Sequence, residues 1–343
     1  MEESSTAKLN IESSVQDILG TIDRQREREI ISRRFGLFDR RETLEQIGEL
    51  LGITRERVRQ LEKAVITRLK AAGEDLPHIK EVQSVLAKHL SDMGQVARTT
   101  ELTSKLTKEN TKVDQARLAF LAHLSPKVAV IEDDDDFFHS IGLVEQHTEK
   151  ALRDLVGKVI EAIKKIDKPT DIETIAKEIG KTDHQHVQAL ASISKNVASL
   201  HGRWGLTRWP MVNPKNIRDK IYVILHDSKK PMHFSEIAAA IKSSDFKRKD
   251  VTTQAIHNEL IKDKRFVLIG RGIYALREWG YKRGTVADVI SEVLRKEAGP
   301  LHRDEIVRRV LKSRQVKETT ILLNLQGKNQ FKRVAKATYS LAE

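Results

Sequence analysis

The chain has 343 residues, of which 39% are hydrophobic, 32% charged and 5% aromatic, and it has no cysteine. The lack of cysteine excludes disulfide scaffolds, thiolate zinc sites and cysteine nucleophiles, and it is typical of a reducing compartment. No stretch approaches the ~20 apolar residues that a membrane span needs, and the first residues have no apolar signal-peptide core. We therefore expect a cytoplasmic protein made of several small domains.

The net charge of +12 is unevenly distributed along the chain. Residues 211–343 contain 28 Lys and Arg against 15 Asp and Glu, whereas residues 1–210 contain 33 against 34. A basic region of this size usually contacts a polyanion, so the C-terminal third predicts an interaction with nucleic acid. The alternative is a basic surface that serves only solubility.

The first predicted folded unit comprises residues 15–75, after a predicted disordered tail at residues 1–14. The segments ILGTIDRQREREIISRRFGL and TLEQIGELLGI have the apolar spacing of amphipathic helices. Thr43 is a predicted N-cap, with Gln46 at the capping-box position and Gly52 at the helix end. Thr54 is predicted to cap a third helix, TRERVRQLEKAVITRLK.

After Pro77 a pattern of long helix, short helix, third helix and a β-type pair occurs in four copies. The pair closes with an aromatic-x-Leu run at Trp204-Gly205-Leu206, Tyr274-Ala275-Leu276 and Tyr339-Ser340-Leu341, and a weaker copy ends VAVIEDDDDFFHSIGLVE. This order is that of a winged helix. The predicted fold is mainly α, an N-terminal helix-turn-helix followed by a string of winged-helix domains with short β-hairpin wings, at residues 76–147, 148–211, 212–280 and 281–343.

The strongest functional signal is TLEQIGELLGITRERVRQLE, residues 43–62. A helix, a Gly-containing turn and a second helix rich in Arg and Gln predict a helix-turn-helix whose second helix enters the major groove. Val58, Leu61 and Val65 form the apolar stripe of that helix. It also has two polar stripes, one of Arg55, Arg59 and Glu62 and a neighbouring one of Glu56, Gln60 and Lys63. Arg, Glu and Gln suit the edges of guanine, cytosine and adenine, respectively. The alternative is that these residues are solvated helix charges.

Residues 21–70 resemble region four of bacterial sigma factors of the primary type, through the strings REREIISRRFGL, TLEQIG, LGITRERVRQLE and RLK. The resemblance implies recognition of the upstream promoter element. It assigns base reading to Arg55, Glu56 and Gln60, with Arg59 contacting DNA near them. It also implies that Thr43 and Thr54 steady the phosphates.

The same resemblance implies contact with a flexible flap of the polymerase β subunit through apolar residues of the first helices. The candidates are Ile30, Ile31, Phe35 and Leu37, for which an ordinary place in the core is the alternative. A full sigma factor has earlier regions that bind the polymerase clamp and melt DNA. We expect this chain to lack that route to promoter opening.

Residues 213–281 resemble the HARE-type helix-turn-helix domain, through KKPMHFSEIAAAIKSS and FVLIGRGIYALREWGY. That winged fold occurs in the delta subunit of bacterial RNA polymerase and in chromatin and restriction proteins. The resemblance implies DNA binding or a protein-adaptor role. By charge, the candidate phosphate contacts are Lys247, Arg248 and Lys249 before the third helix and Arg271 in the wing, with a solvated turn as the alternative.

Other clusters predict no chemistry. Asp133–Asp136 with His139 lack the Gly and terminal Glu of a calcium loop, so we expect an acidic solvated wing that repels DNA and a first winged copy that contacts protein. His184 and His186 are predicted to lie on the surface. Without a P-loop, HExxH or GxSxG motif, we expect no enzyme activity, cofactor or metal site.

The sequence therefore predicts a sequence-specific DNA-binding transcription factor of the nucleoid that resembles a sigma factor. Its expected partners are promoter-like double-stranded DNA and the RNA polymerase core, with neither a membrane nor a small-molecule substrate. The alternative is a DNA-binding scaffold or adaptor of a restriction, defence or chromosome-organising system. Co-purification with core polymerase would separate the two.

Overall fold

The structure, a computed structural model, describes residues 10–144, 148–246, 248, 250–281, 284–297 and 299–342. Helices predominate in these residues, and the strands form small antiparallel sheets, so the chain is mainly α as predicted. The chain divides into two compact units, Met1–Arg208 and Trp209–Glu343. Among the residues described, none of the helices combines the length and the apolar character that crossing a membrane requires.

The first unit begins with four helices that correct two predictions. α1 starts inside the predicted tail, because the Asn10 side chain accepts a hydrogen bond from the Ser13 amide and caps it; residues 1–9 lie outside the described part. The helix expected over residues 18–37 is two helices, since the chain turns after Thr21 bonds back to Ile18. The four are α1 (Ile11–Gly20), α2 (Gln25–Phe35), α3 (Leu44–Leu51) and α4 (Arg55–Ala72).

α3 and α4 form the predicted helix-turn-helix. The Thr43 hydroxyl accepts from the Gln46 amide at 3.2 Å, and the Gln46 side chain accepts from the Thr43 amide at 2.9 Å, which completes a capping box. Gly52 ends α3 at φ 65°, and the Thr54 side chain caps α4. These caps fix where each helix starts and stops, as the sequence predicts.

Gly48 makes the turn between the two helices tight. A Cβ atom at this position would lie 2.7 Å from the carbonyl oxygen of Ile53. The backbone after α3 therefore passes directly over Gly48, and only a residue without a side chain allows that approach.

The next segment is a winged helix with one strand more than the sequence indicated. β1 precedes the short helix and pairs with the second wing strand, in the sheet order β1-β3-β2. The elements are α5 (Ile79–Asp92), β1 (Val96–Arg98), α6 (Thr99–Leu106), α7 (Lys112–Leu124), β2 (Val128–Ile131) and β3 (Ser140–Leu143).

This winged helix and the N-terminal helices share one hydrophobic core, which corrects the expected string of separate small domains. The buried cluster runs from Ile11 to Ile141 and includes residues of α1, α4 and α5. α7 is its centre, because Leu118, Phe120 and Leu121 are all buried and the helix packs against α1, α2 and α4. A helix that is apolar on most sides has to be covered by other elements.

The second winged helix completes the first unit. Its wing is a two-stranded sheet, and Thr170 forms an isolated bridge with Trp204 where the other copies have a third strand. α10 packs on β1 of the preceding copy. The elements are α8 (Glu149–Ile166), α9 (Ile172–Glu178), α10 (His184–Ser192), β4 (Val197–Leu200) and β5 (Arg203–Leu206).

The second unit contains two further winged helices, each with a three-stranded sheet. The first consists of α11 (Ile217–Ser228), β6 (Met232–His233), α12 (Phe234–Ser243), α13 (Thr253–Lys262), β7 (Phe266–Gly270) and β8 (Ile273–Leu276). The second consists of α14 (Val286–Glu297), β9 (Leu301–His302), α15 (Arg303–Leu311), α16 (Glu318–Gly327), β10 (Phe331–Ala335) and β11 (Thr338–Leu341). The aromatic-x-Leu runs lie in β5, β8 and β11, so the predicted tandem winged-helix fold is confirmed.

The two copies of the second unit contact each other through the loop between α15 and α16. The Gln315 amide donates to the carbonyl of Ile269 at 3.1 Å, and the buried Arg314 donates to the carbonyls of Leu268 and Gly284. The loop thus covers the outer edge of β7, which a protein must otherwise protect from strand pairing.

Candidate nucleic-acid interface

α4 presents a continuous polar face to solvent. Five residues of this helix are predicted to contact DNA and are called the readers below, three of them as base readers and Arg59 and Lys63 beside them. At 100° per residue, the five fall within about 140° of the helix circumference. Val58, Val65 and Leu69 are buried on the opposite side. The exposed readers are Arg55, Glu56, Arg59, Gln60 and Lys63. A helix with this division can enter a groove without disturbing its own core.

A small second core holds α4 in place. Ile30, Ile47 and Val58 are fully buried there, and Leu61 packs against them. These residues come from α2, α3 and α4, so the reading helix is fixed by two neighbours. The predicted apolar stripe of Val58, Leu61 and Val65 therefore lies on the packed side, with Leu61 only half buried.

Three of the readers bond to one another. Arg59 donates to both carboxylate oxygens of Glu56, at 2.6 and 2.9 Å, and the Gln60 amide is 3.4 Å from the same group. The hydrogen bond from Arg59 lowers the pKa of Glu56 and raises the pKa of Arg59. Glu56 is thus a carboxylate and a strong acceptor at neutral pH. Within the described residues, Arg55 forms neither a hydrogen bond nor an ion pair.

Glu62 departs from the predicted stripe. It is half buried and pairs with Arg34 of α2 at 3.3 Å, so it steadies the packing of two helices and does not share the exposed face. Thr43 and Thr54 are exposed, but their hydroxyl oxygens accept the cap hydrogen bonds. Each hydroxyl hydrogen remains able to donate to a phosphate.

The candidates of the second unit are only partly described. Lys247 and Lys249 lie outside the described residues. Arg248 is exposed in the left-handed region at φ 53°, and its carbonyl accepts from Lys220 Nζ at 2.7 Å. Arg271 is exposed in the turn between β7 and β8. The family resemblance of residues 213–281 stays a prediction.

The residues predicted to contact the polymerase flap lie in the interior. Ile30, Ile31 and Leu37 are fully buried, and Phe35 is half buried with its ring centroid 5.1 Å from that of Phe120. For Ile30, Ile31 and Leu37 the alternative interpretation, an ordinary place in the core, is therefore correct. The exposed large apolar side chains of this region are Phe38 and Leu50, with 45% and 55% of their surface accessible.

The acidic segment is exposed, as predicted for a solvated wing, and two of its carboxylates also pair with the second winged helix. Asp134 pairs with Arg153 at 2.8 Å and Asp133 with Lys195 at 3.0 Å, both cations of the second winged helix. Asn196 donates to Asp136 at 2.8 Å. The Arg153 hydrogen bond lowers the pKa of Asp134. Within the described residues, no group of three metal-ligating side chains could hold an ion.

The third helices of the first two winged copies, which in this fold often bind DNA, pack against neighbouring elements. α7 lies in the shared core. In α10, Gln185 donates to the carbonyl of Asp92 at 2.5 Å and His186 Nδ1 lies 2.8 Å from the carbonyl of Gly94. His186 is buried, so its predicted surface position is wrong, and His184 is exposed as predicted. α7 is mostly buried or half buried, whereas α10 still exposes His184, Gln185 and Gln188.

Sequence reasoning also missed the wing of the fourth copy. Lys328, Lys332, Arg333 and Lys336 are all exposed on or beside its two strands. The signal was present in the sequence as four cations among residues 328–338 without an acidic residue. The pairing of β10 with β11 places them together on one two-stranded ribbon.

Residues 24–71 match the family model described as sigma-70, region 4. The sequence is 49% identical over 57 residues to the RNA polymerase sigma factor sigB of Arabidopsis thaliana, covering 16% of this chain and 9% of that protein. It is 39% identical over 61 residues to SigA of a Bacillus species, covering 18% and 16%, and 40% identical over 74 residues to the principal sigma factor HrdD of Streptomyces viridifaciens, covering 21% and 22%.

The chain thus spans less than a quarter of the length of each of these relatives. Within that span the match is specific, and residues 24–71 are a sigma-70 region 4 domain that contains α2, α3 and nearly all of α4.

Proposed function

We propose that this protein is a non-enzymatic, sequence-specific DNA-binding factor that acts with RNA polymerase in transcription. The observation that carries the proposal is the exposed polar face of α4 in a sigma-70 region 4 domain. Promoter-like duplex DNA is the proposed ligand, and α4 is the proposed reading helix.

The chemistry of this face suits base edges in the major groove. Arg55 lies in the first turn of α4, where a recognition helix approaches the bases most closely, and its guanidinium is available for bidentate bonding to guanine. Glu56 and Gln60 can accept from cytosine and pair with adenine. Thr43 and Thr54 start their helices and supply hydroxyls for phosphates on either side.

The first two winged helices have a structural role in this proposal. The first supports the region 4 domain through the shared core that contains α7, and the second packs on the first through α10 and β1. Base reading is assigned to α4. The acidic segment 133–136, held by Arg153 and Lys195, fixes the second copy to the first.

RNA polymerase core is the proposed protein partner. The relatives named above are RNA polymerase sigma factors, and the region 4 match over residues 24–71 includes the exposed Phe38 and Leu50. These two exposed side chains replace the buried flap candidates as the proposed contact. Co-purification with core polymerase supports this role, whereas recovery with restriction or chromosome proteins in its place supports the alternative scaffold.

The decisive experiment on DNA reading is Arg55→Ala in a competitive selection from randomised duplexes. We expect binding to the preferred duplex to weaken by about 1–3 kcal/mol and preference to relax at one base pair. Lys181→Ala removes the same charge from an exposed position of the same unit and should leave the preference intact. An unchanged preference in the Arg55 variant contradicts the assignment.

We also propose that the protein with core polymerase leaves promoter DNA closed. Its likeness to the sigma factors is confined to 57–74 aligned residues, which cover the region 4 domain. Permanganate footprinting tests this, because it detects unpaired thymines. Reactive thymines with only this protein and core enzyme present would reveal a melting element elsewhere in the chain.

A further inference from the structure

We propose that the wing of the fourth winged helix is a second DNA-binding surface, which holds the phosphates of duplex DNA without reading its sequence. The inference rests on the proposed DNA-binding function and names a different surface for it. The basic wing is defined here as Lys328, Lys332, Arg333 and Lys336 on and beside the hairpin β10–β11.

The geometry of the hairpin spreads these charges around a narrow ribbon. Lys332 lies opposite Ser340 and Arg333 opposite Tyr339, so the two cations point to opposite faces of the sheet. Lys336 lies in the turn, where Ala337 adopts φ 55°. All four side chains are exposed. The ribbon can therefore meet phosphates on both sides and at its tip.

The basic wing has no acidic counterpart nearby in sequence. Residues 328–338 contain four cations and no Asp or Glu. Within the part of the chain that the structure describes, none of the four forms an ion pair, and Arg333 donates only to the carbonyl of Ala335, at 3.3 Å. A concentration of like charge on a protruding hairpin costs stability through self-repulsion, and an external polyanion removes that cost.

The four wings of this protein provide an internal comparison. The first carries the acidic segment 133–136, two of whose four carboxylates pair with Arg153 and Lys195. The second wing has His201 in its turn and Arg203 at the start of β5, and the third has Arg271 in its turn. From three residues before the first wing strand to the start of the second strand, residues 194–203 and 263–273 each have a net charge of +2, whereas residues 328–338 have +4. The high charge is therefore a feature of the fourth wing and not of the fold.

The third helix of the same copy makes a poor alternative. α16 contains no Lys or Arg, and Leu323 at its surface is 67% exposed. A helix of this composition offers a phosphate backbone no charge. In this copy the wing is therefore the surface that binds the phosphates. Contacts of Lys and Arg with phosphate give an affinity that depends on salt and not on the base sequence.

The test is a salt titration of the full chain on one labelled duplex that contains the preferred site of α4. The variant Lys328→Gln, Lys332→Gln, Arg333→Gln and Lys336→Gln should lower the log–log slope of affinity against salt by about 3–4, at roughly 0.9 per phosphate. The matched control changes four exposed lysines of the same unit to Gln: Lys229, Lys230, Lys242 and Lys262. Its slope should stay within about one of the parent value.

Each outcome bears on the wing. Equal loss of slope in both variants would show that net charge alone matters, and an unchanged slope in the wing variant would remove the wing from DNA binding. If the wing variant loses binding to single-stranded RNA or to an acidic peptide while its duplex slope stays at the parent value, the partner is of that other class. Because the substituted side chains are exposed, we expect folding to persist; if it fails, Lys336→Glu at the turn should lower the slope by about one on its own.

The same titration separates the wing from the proposed function. Discrimination between the preferred and a scrambled duplex depends on α4, and we expect the wing variant to retain it. Absence of discrimination in the parent chain counts against α4 as a reading helix and leaves the slope difference intact as the measure of the wing.

Discussion

Arg117 of α7 donates a hydrogen bond from Nε to the main-chain carbonyl of Leu37, at 2.8 Å, across 80 residues of sequence. Its guanidinium also pairs with Glu12 of α1 at 2.9 Å. Only 9% of Arg117 is exposed, and Leu37 is fully buried. One side chain of the first winged helix thus holds both the first helix and the loop after α2, so the region 4 domain and this winged helix are built as one body.

Arg117→Ala should lower the free energy of unfolding of the first unit by about 2–3 kcal/mol, because the buried carbonyl of Leu37 loses a charged donor. Lys105→Ala, at an exposed position of α6, is the control and should change it by less than about 0.5 kcal/mol. Chemical denaturation followed by circular dichroism measures both.

Hydrogen exchange on the same variant tests the shared core. We expect amides of α1–α4 and of α5–β3 to lose protection together, since one buried cluster joins them. If Arg117→Ala exposes only the winged helix and leaves α1–α4 protected, the two parts are separate folding units.

The sequence was informative where the determinants are local. Thr43 and Gln46 are three residues apart, and their capping box was predictable from that spacing. The wings were predictable for the same reason, because two short strands and a turn are contiguous. The contact of Arg117 with Leu37 gives no such signal, since nothing in either neighbourhood specifies a partner 80 residues away.

The interior positions show the same limit more sharply. Ile30 and Ile31 are adjacent in sequence, yet Ile30 belongs to the small core beneath α4 and Ile31 to the large shared core. The helical spacing of apolar residues indicates which face of a helix is buried, but not which other element covers that face. For this reason a family resemblance could suggest these residues as partner contacts when both are buried.

Gly48→Ala should destabilise the helix-turn-helix. The added Cβ would meet the carbonyl oxygen of Ile53 at 2.7 Å, which forces the backbone of the turn to move and costs about 1–3 kcal/mol. Gly157→Ala is the matched control, since none of the described residues offers an atom within 4 Å of a Cβ there beyond the helix itself, and Ala is favoured by about 0.5–1 kcal/mol inside a helix. Opposite signs in thermal unfolding are expected, and a neutral Gly48 variant would contradict the tight turn.

The stability of the first unit should fall as the pH falls from 7 to 5. A cleft of about 700 Å³ is lined by His123 and His139. The Nδ1 atom of His139 lies 2.6 Å from the Thr99 hydroxyl oxygen. Burial lowers the pKa of both imidazoles below 6.5, and Lys70 lowers that of His123 further. As the pH falls below 6.5, the two imidazoles therefore take up protons in the unfolded chain before they do so in the folded one, which favours unfolding. Well above that pH, both imidazoles are neutral in the folded and in the unfolded chain.

The measurement is the free energy of unfolding at pH 7.5 and 5.5 for the parent and for His123→Gln with His139→Asn. Asn can keep the hydrogen bond to Thr99 without titrating. The double variant should lose less stability on acidification than the parent does. An identical loss would place the pH dependence in other groups.

Glu56→Ala should raise affinity for unrelated duplexes and reduce discrimination. The carboxylate is the one negative charge among the five exposed readers of α4, so its removal lessens repulsion from phosphates and releases Arg59, which donates to it at 2.6 and 2.9 Å. The acceptor for a cytosine amino group is lost at the same time, which should cost about 1–3 kcal/mol of preference at one base pair.

Glu45→Ala is the control for that charge effect, because Glu45 is exposed in the first turn of α3 and lies outside the reading face. It removes an equal charge from the same domain and should raise non-specific affinity without relaxing preference. Binding of each variant to the preferred and to a scrambled duplex at one salt concentration separates the two effects. If both variants keep full discrimination, Glu56 does not read a base; its exposed carboxylate then serves only to hold Arg59 against α4.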